Sequence, residues 1–138
     1  MKTGPRILLV DDEDRFRSNL AKMLTAQGLT VAAAASGLEA VEMLQRQPFD
    51  VALVDIRMPG MDGLETLAHL KKLAPDLEVI MLTGHASMEA AMEINRLGGY
   101  DYLLKPYPLE DLLLKIEAAF EKKLEREKSA KLAARTGN

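Results

Sequence analysis

At 138 residues the chain is sized for one domain, and folding at that length removes roughly two-thirds of the unfolded surface from water, enough for a core without staples. A net charge of −3 excludes a chain built as a whole to hold nucleic acid, and the absence of cysteine excludes disulfides and thiolate chemistry, which fits a reducing compartment. No apolar run approaches the ~20 residues of a membrane helix and the first residues lack a signal-peptide core, so the expected location is cytoplasmic.

Met1 to Arg6 is a short polar lead. Ile7-Leu8-Leu9-Val10 is wholly apolar and too short for a helix, which predicts a strand buried on both faces. It stops on Asp11-Asp12-Glu13-Asp14, and acids there suit the first turn of a helix. Phe16, Leu20, Met23 and Leu24 recur at helical spacing up to Gly28. Leu29 to Ala34 reads as a second strand. Ser36 and Glu39 have capping-box spacing for a helix with Ala40, Val41, Met43 and Leu44 on its apolar side, closed by Pro48.

Val51 to Val54 is a third apolar run, ending on Asp55 and a Pro/Gly loop from Pro59 to Gly63. Leu64, Leu67, Leu70 and Leu73 line the next helix, up to Pro75. Val79 to Leu82 is a fourth run, stopping at Thr83-Gly84. Ser87 can cap a helix carrying Met88, Ala91, Met92 and Ile94 and ending near Gly98-Gly99. Tyr100 to Leu104 is a fifth strand before Lys105-Pro106. Pro108 opens a last helix with Leu109, Leu112, Leu113, Ile116 and Phe120 on its inner stripe.

Five short strands alternating with amphipathic helices predict an α/β fold, a five-stranded parallel sheet with helices on both faces. Residues 1–124 are expected to form this domain. Residues 125–138 read as an exposed, charged extension of the last helix, fraying at its end. From Lys115 onward seven Lys/Arg stand against four Glu.

Ligands in open parallel sheets bind beyond the carboxyl ends of the strands. The residues just past each apolar run are Asp11-Asp12, Asp55, Thr83 and Lys105. Alone, a strand-terminal Asp is as often a helix cap, a Thr plain strand propensity, and a Lys before Pro a solvated side chain. Together they put three acids, a hydroxyl and an ammonium on one rim. Two carboxylates about 5 Å apart repel by roughly 3 kcal/mol at an effective dielectric near 20. Lys105 offsets part of this; a small hard cation with oxygen ligands, Mg²⁺, would offset more. Asp12 and Asp55 would bind it, with Asp11 holding its waters. Thr83 can donate to a phosphate oxygen, with Gly84 leaving room beside it.

Asp11-Asp12 after the first strand, the run Leu-Val-Asp-Ile-Arg-Met-Pro-Gly-Met-Asp-Gly from Leu53 to Gly63, Leu-Thr-Gly-His from Leu82, and Tyr-Asp-Tyr-Leu-Leu-Lys-Pro from Tyr100 resemble the receiver domain of two-component response regulators, over about residues 5 to 122. The resemblance implies a doubly wound, flavodoxin-like sheet of order 2-1-3-4-5. It implies that Asp55 accepts a phosphoryl group from a sensor histidine kinase or phosphotransfer protein. Asp11 and Asp12 are then the acidic pair for Mg²⁺, and the backbone carbonyl of Arg57 completes the protein ligands. Thr83 is the switch hydroxyl, Lys105 the phosphate-pairing lysine, and Lys105–Pro106 a cis peptide. Tyr102 is the switch aromatic that follows Thr83, and the output is a change on the fourth helix, fifth strand and fifth helix, where a homodimer would form. Such a protein is a signalling switch, not an enzyme, beyond its own phosphotransfer and autodephosphorylation.

Arg57 and His85, two residues beyond Asp55 and Thr83, match positions that flank the acyl phosphate; the plain alternative is exposed loop residues. Tyr100 reads as strand filler, Tyr107 as loop packing, and His69 as solvent-facing. Met58, Met61 and Met88 read as loop or core fillers. Leu114 falls off the inner stripe and is a candidate dimer contact. Gly98-Gly99 stands where the family has Gly-Ala, which predicts a looser joint before the fifth strand, and Ile94 and Asn95 also depart from its pattern. The loop from Met58 to Gly63 is read as the lip through which kinase and water reach Asp55.

The rival reading is a haloacid-dehalogenase-like, Mg²⁺-dependent phosphatase with Asp12 as nucleophile, since Asp12-Glu13-Asp14 has its Asp-x-Asp spacing. Against it, Arg-Phe follows Asp14, no later strand carries a further acidic pair, and there is no cap domain. A receiver that only binds partners is disfavoured by the intact acid, Thr and Lys set. No DNA-binding or ATPase segment follows residue 124, so the tail is expected to be a linker helix, with nucleic acid met only through an output domain outside this chain.

Overall fold

A computed structural model describes residues 4–57, 62–85 and 87–136. The elements alternate strictly: β1 (Arg6–Val10), α1 (Asp14–Ala26), β2 (Thr30–Ala34), α2 (Gly37–Arg46), β3 (Val51–Asp55), α3 (Gly63–Leu73), β4 (Glu78–Thr83), α4 (Met88–Arg96), β5 (Asp101–Leu104) and α5 (Leu109–Thr136). The strands form one sheet in the order β2-β1-β3-β4-β5, all pairs parallel, as expected for a doubly wound α/β fold. The central strands are apolar on both faces because both faces are covered. Leu8, Val10, Ala52, Val54, Val79 and Met81 pack with Ala40 of α2, Leu67 and Leu70 of α3 and Ile94 of α4. Their alternates Ile7, Leu9, Val51, Leu53, Ile80 and Leu82 pack with Leu20 and Leu24 of α1 and Leu112, Ile116 and Ala119 of α5. Period-2 alternation thus deals each strand's residues to the two helical layers.

Ser36 and Ser87 cap their helices as the sequence suggests, but the Ser36/Glu39 box does not close, because the Glu39 carboxylate takes the Ala35 N–H at 2.6 Å. Ser36 accepts a hydrogen bond from the Glu39 N–H, Ser87 from Ala90, and Asp62 and Glu65 form a reciprocal capping box at α3. Gly28 and Gly98 both have φ of +91°, which only glycine adopts without strain, and each sits just past a helix.

Two expectations change. Met88 is 79% exposed, neither loop nor core filler, because the nine-residue α4 buries only Ile94. Leu73 and Met23 lie at the exposed margins of their helices. In the extension of α5, Arg126 and Glu127 are half-buried. Met58 and Met61, with most of the loop read as a lip, lie outside the described residues. Among the described residues no helix is long and apolar enough to cross a membrane.

Candidate functional site

The parallel sheet delivers the residues after β1, β3, β4 and β5 to one edge. The Asp11 N–H extends the ladder by donating to the Ala34 carbonyl at 3.1 Å, which turns the Asp11 side chain under the rim, fully buried. Its Oδ1 accepts from the Glu13 N–H at 2.8 Å, while Oδ2 is buried with no hydrogen-bond partner among the described residues. The neighbouring Asp12 is exposed. Asp55 closes β3, 7% exposed, and one carboxylate oxygen from each of Asp11, Asp12 and Asp55 lies within 4.8 Å of the others.

Asp55 is held from several sides. Its Oδ1 accepts from the Arg57 N–H at 3.2 Å and stands 3.6 Å from Lys105 Nζ. The start of α3 presses on its backbone: a Cβ on Gly63 would lie 2.5 Å from the Asp55 carbonyl oxygen, so only glycine fits there. Lys105 is placed by its N–H donating to the Thr83 carbonyl at 2.7 Å, and the Lys105–Pro106 peptide is cis, as expected. Its ammonium also sits 4.6 Å from the centroid of the Phe16 ring, a cation–π contact.

Thr83 is 2% exposed, and its hydroxyl is engaged within its own loop. Oγ1 donates to the His85 carbonyl at 2.9 Å and accepts from the His85 N–H at 3.1 Å. Gly84, His85, Arg57 and Pro106 are exposed around the site. Tyr102 is half-buried against the cluster containing Leu67 and Ile94.

Three carboxylates face one ammonium, so the site carries excess negative charge. Burial pushes the Asp11 carboxyl above its usual range, and the Asp55 and Asp12 charges push the same way; the Glu13 N–H and Lys105 oppose them. An all-oxygen donor set with an orphaned buried carboxylate oxygen, Asp11 Oδ2, fits a hard divalent cation.

Two contributors were not legible as site residues. Phe16, one turn past Asp12, read only as core. Tyr107 read as loop packing, yet its hydroxyl is buried without a partner among the described residues. Burial first, then the charges of Asp11 and Asp55, push this phenol up to about 12. An aromatic one helical turn from the acids and a Tyr just past Lys105-Pro106 were the available signals.

A family model, the response regulator receiver domain, matches residues 7–117. Among curated relatives, the transcriptional regulatory protein ZraR of Escherichia coli (strain K12) is 40% identical over 113 residues, 82% of this chain and 26% of that protein. Among solved structures, NtrX from Brucella abortus has a TM-score of 0.87 at 32% identity, covering 99% of this chain and 30% of that one. A CheY-like response regulator receiver domain protein from Methanospirillum hungatei JF-1 has a TM-score of 0.85 at 33% identity, covering 91% and 99%. The chain spans about a quarter of the length of the curated relatives it matches. The phosphatase alternative finds no support: Asp12 is exposed, and Asp14 is spent on an ion pair with Arg17 at 2.7 Å. With the sheet order, the rim of acids and the family match in agreement, the chain belongs to the response regulator receiver domains, a signalling family.

Proposed function

We propose that the protein is a phosphorylation-activated switch in which Asp55 takes a phosphoryl group from a phosphohistidine on a sensor histidine kinase or phosphotransfer protein. In that step the N–P bond breaks and an O–P bond forms on the Asp55 carboxylate, and the leaving imidazole takes its proton from water. Oδ1 is occupied by the Arg57 N–H and Lys105, which favours Oδ2 as the attacking oxygen. Asp11, Asp12 and Asp55, with the Arg57 carbonyl, would hold Mg²⁺, which when bound offsets charge on the transferring phosphoryl oxygens. Lys105 pairs with the phosphate. The exposed Arg57, His85 and Pro106 flank it, and Gly84 leaves it space.

The Thr83 hydroxyl then exchanges the His85 carbonyl for a phosphate oxygen, and Tyr102 follows into the space vacated. The output is a change on the α4-β5-α5 face. Met88, Met92, Leu104 and Leu114 already expose apolar side chains there, which supports a homodimer contact. Inverting a strongly biased equilibrium, from 1:99 to 99:1, needs about 5.5 kcal/mol of preference for the active form. The setting is cytoplasmic, and nucleic acid would be met only through an output domain outside residues 1–138.

The observation that carries this reading is a buried Asp55 facing Lys105 at 3.6 Å within a triad of acids. Incubation with acetyl phosphate and Mg²⁺, followed by mass-spectrometric mapping, is expected to place one phosphoryl group on Asp55. Label on Asp12, full label in Asp55→Asn, or turnover of many equivalents of a phosphomonoester would overturn it.

A further inference from the structure

Buried carboxylates need a counter-charge, and among the described residues three are buried: Asp11, Asp55 and Glu78. The first two belong to the rim. Glu78, 2% exposed, opens β4 at the opposite edge of the sheet. Its ion-pair partner is Arg126, with Nη2 2.5 Å from Oε2, close in distance though not aligned as a hydrogen bond. Nearby Lys71 donates to the Pro75 and Leu77 carbonyls at 2.6 and 2.9 Å, and its charge also acts on Glu78 without an ion-pair contact.

One helical turn before Arg126, Lys123 Nζ lies 3.2 Å from Asp50 Oδ1 and 2.5 Å from Glu127. Asp50 sits just before β3 and takes the Arg6 N–H on Oδ2 at 2.8 Å. Backbone bonds join the row: Asp50 N–H to the Arg6 carbonyl, and Glu78 N–H to the Asp50 carbonyl. The two strands that end on Asp55 and Thr83 therefore begin beside Asp50 and on Glu78, and both acids are held by one face of α5. Those cations lie past residue 117, where the family match stops.

We propose that Lys123 and Arg126 strap the extension of α5 to the entry edge of β3 and β4. The folded unit then continues through Glu127 rather than ending at Leu124, and the chain leaves it as a helix whose direction is fixed relative to Asp55. Arg126 and Glu78 are positioning residues, with no part in phosphoryl chemistry.

Amide hydrogen exchange on the 138-residue chain tests this. Glu78→Gln keeps the side-chain shape and removes the buried charge at this edge, so it is expected to fold. It should speed exchange of residues 122–130 at least tenfold while β1 and β3 stay protected and acetyl phosphate still labels Asp55. Arg126→Gln, which leaves Glu78 without its ion-pair partner, should speed exchange of residues 122–130 at least as much, and the double variant should lose no more than the worse single, because one pair is removed once. A change below threefold at 122–130 in Glu78→Gln, an equal loss across β1, β3 and α5, or additive effects in the double variant would overturn the proposal.

Discussion

Ile94 stands directly over Gly99: a Cβ at residue 99 would lie 2.6 Å from Ile94 Cγ2 and 3.1 Å from its carbonyl oxygen. The Gly99 N–H donates to that carbonyl at 2.8 Å. The second glycine therefore does not loosen the joint before β5; it lets the helix close on it, with Ile94 only 3% exposed. Gly99→Ala is expected to cost about 1–3 kcal/mol by overpacking. Ile94→Leu removes Cγ2, so the Ile94→Leu/Gly99→Ala pair should recover part of that loss in urea unfolding. A purely additive pair would contradict the contact.

This pair also shows what the sequence could and could not tell. Strand runs such as Val51–Val54 and Val79–Leu82 were legible because burial on both faces leaves them wholly apolar. The rim followed, since a parallel sheet sends every strand end to the same edge. Contacts that fall outside helix and strand periodicity were not legible. Gly99 and Ile94 each looked like an isolated departure, and Arg126 looked like a tail charge although Glu78 lies 48 positions away. Apolar character alone also misplaced Met88, because a short helix at the rim has too little partner surface to cover it.

Asp11 is buried beside two other acids with one oxygen unpaired. Its folded carboxyl titrates above the unfolded value, burial being the main cause. The folded state therefore holds the proton more tightly than the unfolded one. Without a metal, stability is undiminished below about 3.8, falls as pH rises through the raised folded value, and stays lower at neutrality. Asp11→Asn is expected to raise the metal-free Tm by about 3–5 °C, equivalent to about 1 kcal/mol at this size, while reducing Asp55 phosphorylation at least tenfold. Calorimetry and acetyl phosphate labelling check the two halves.

Tyr107 gives an alkaline counterpart. Its phenol, pushed up to about 12 by burial and the acids, keeps its proton in the fold after the unfolded chain has lost its own near 10. Stability should fall between those two pH values, and Tyr107→Phe should remove that part of the fall. Ultraviolet titration of the parent against Tyr107→Phe should assign to Tyr107 a phenolate signal that develops only above pH 11. A Tyr107 signal developing near 10 would contradict the buried hydroxyl.

Lys105 is the cation 3.6 Å from Asp55, stacked over Phe16. Lys105→Met removes it and leaves three carboxylates facing one another. Divalent-cation affinity should rise several-fold, because the metal then supplies all the compensation. Acetyl phosphate labelling should slow about tenfold or more, with the phosphate missing its pairing partner. Phe16→Leu should shift both in the same directions but less, since a cation–π contact is worth about 0.5–2 kcal/mol. Titration with Mg²⁺ and timed labelling separate binding from transfer.

Thr83 donates to the His85 carbonyl, so its hydroxyl must change partner before it can report on Asp55. Thr83→Val keeps the shape of the buried side chain and removes that donor. The acid triad and Lys105 are untouched, so Asp55 should still be labelled within about fivefold of the parent rate. The signal beyond the site should disappear: Tyr102, half-buried against Leu67 and Ile94, should keep its environment when beryllofluoride is added. Tyrosine NMR shifts at 102 are expected to move in the parent and stay fixed in Thr83→Val. Equal movement in both would show that Tyr102 reads the phosphate by a route that bypasses Thr83.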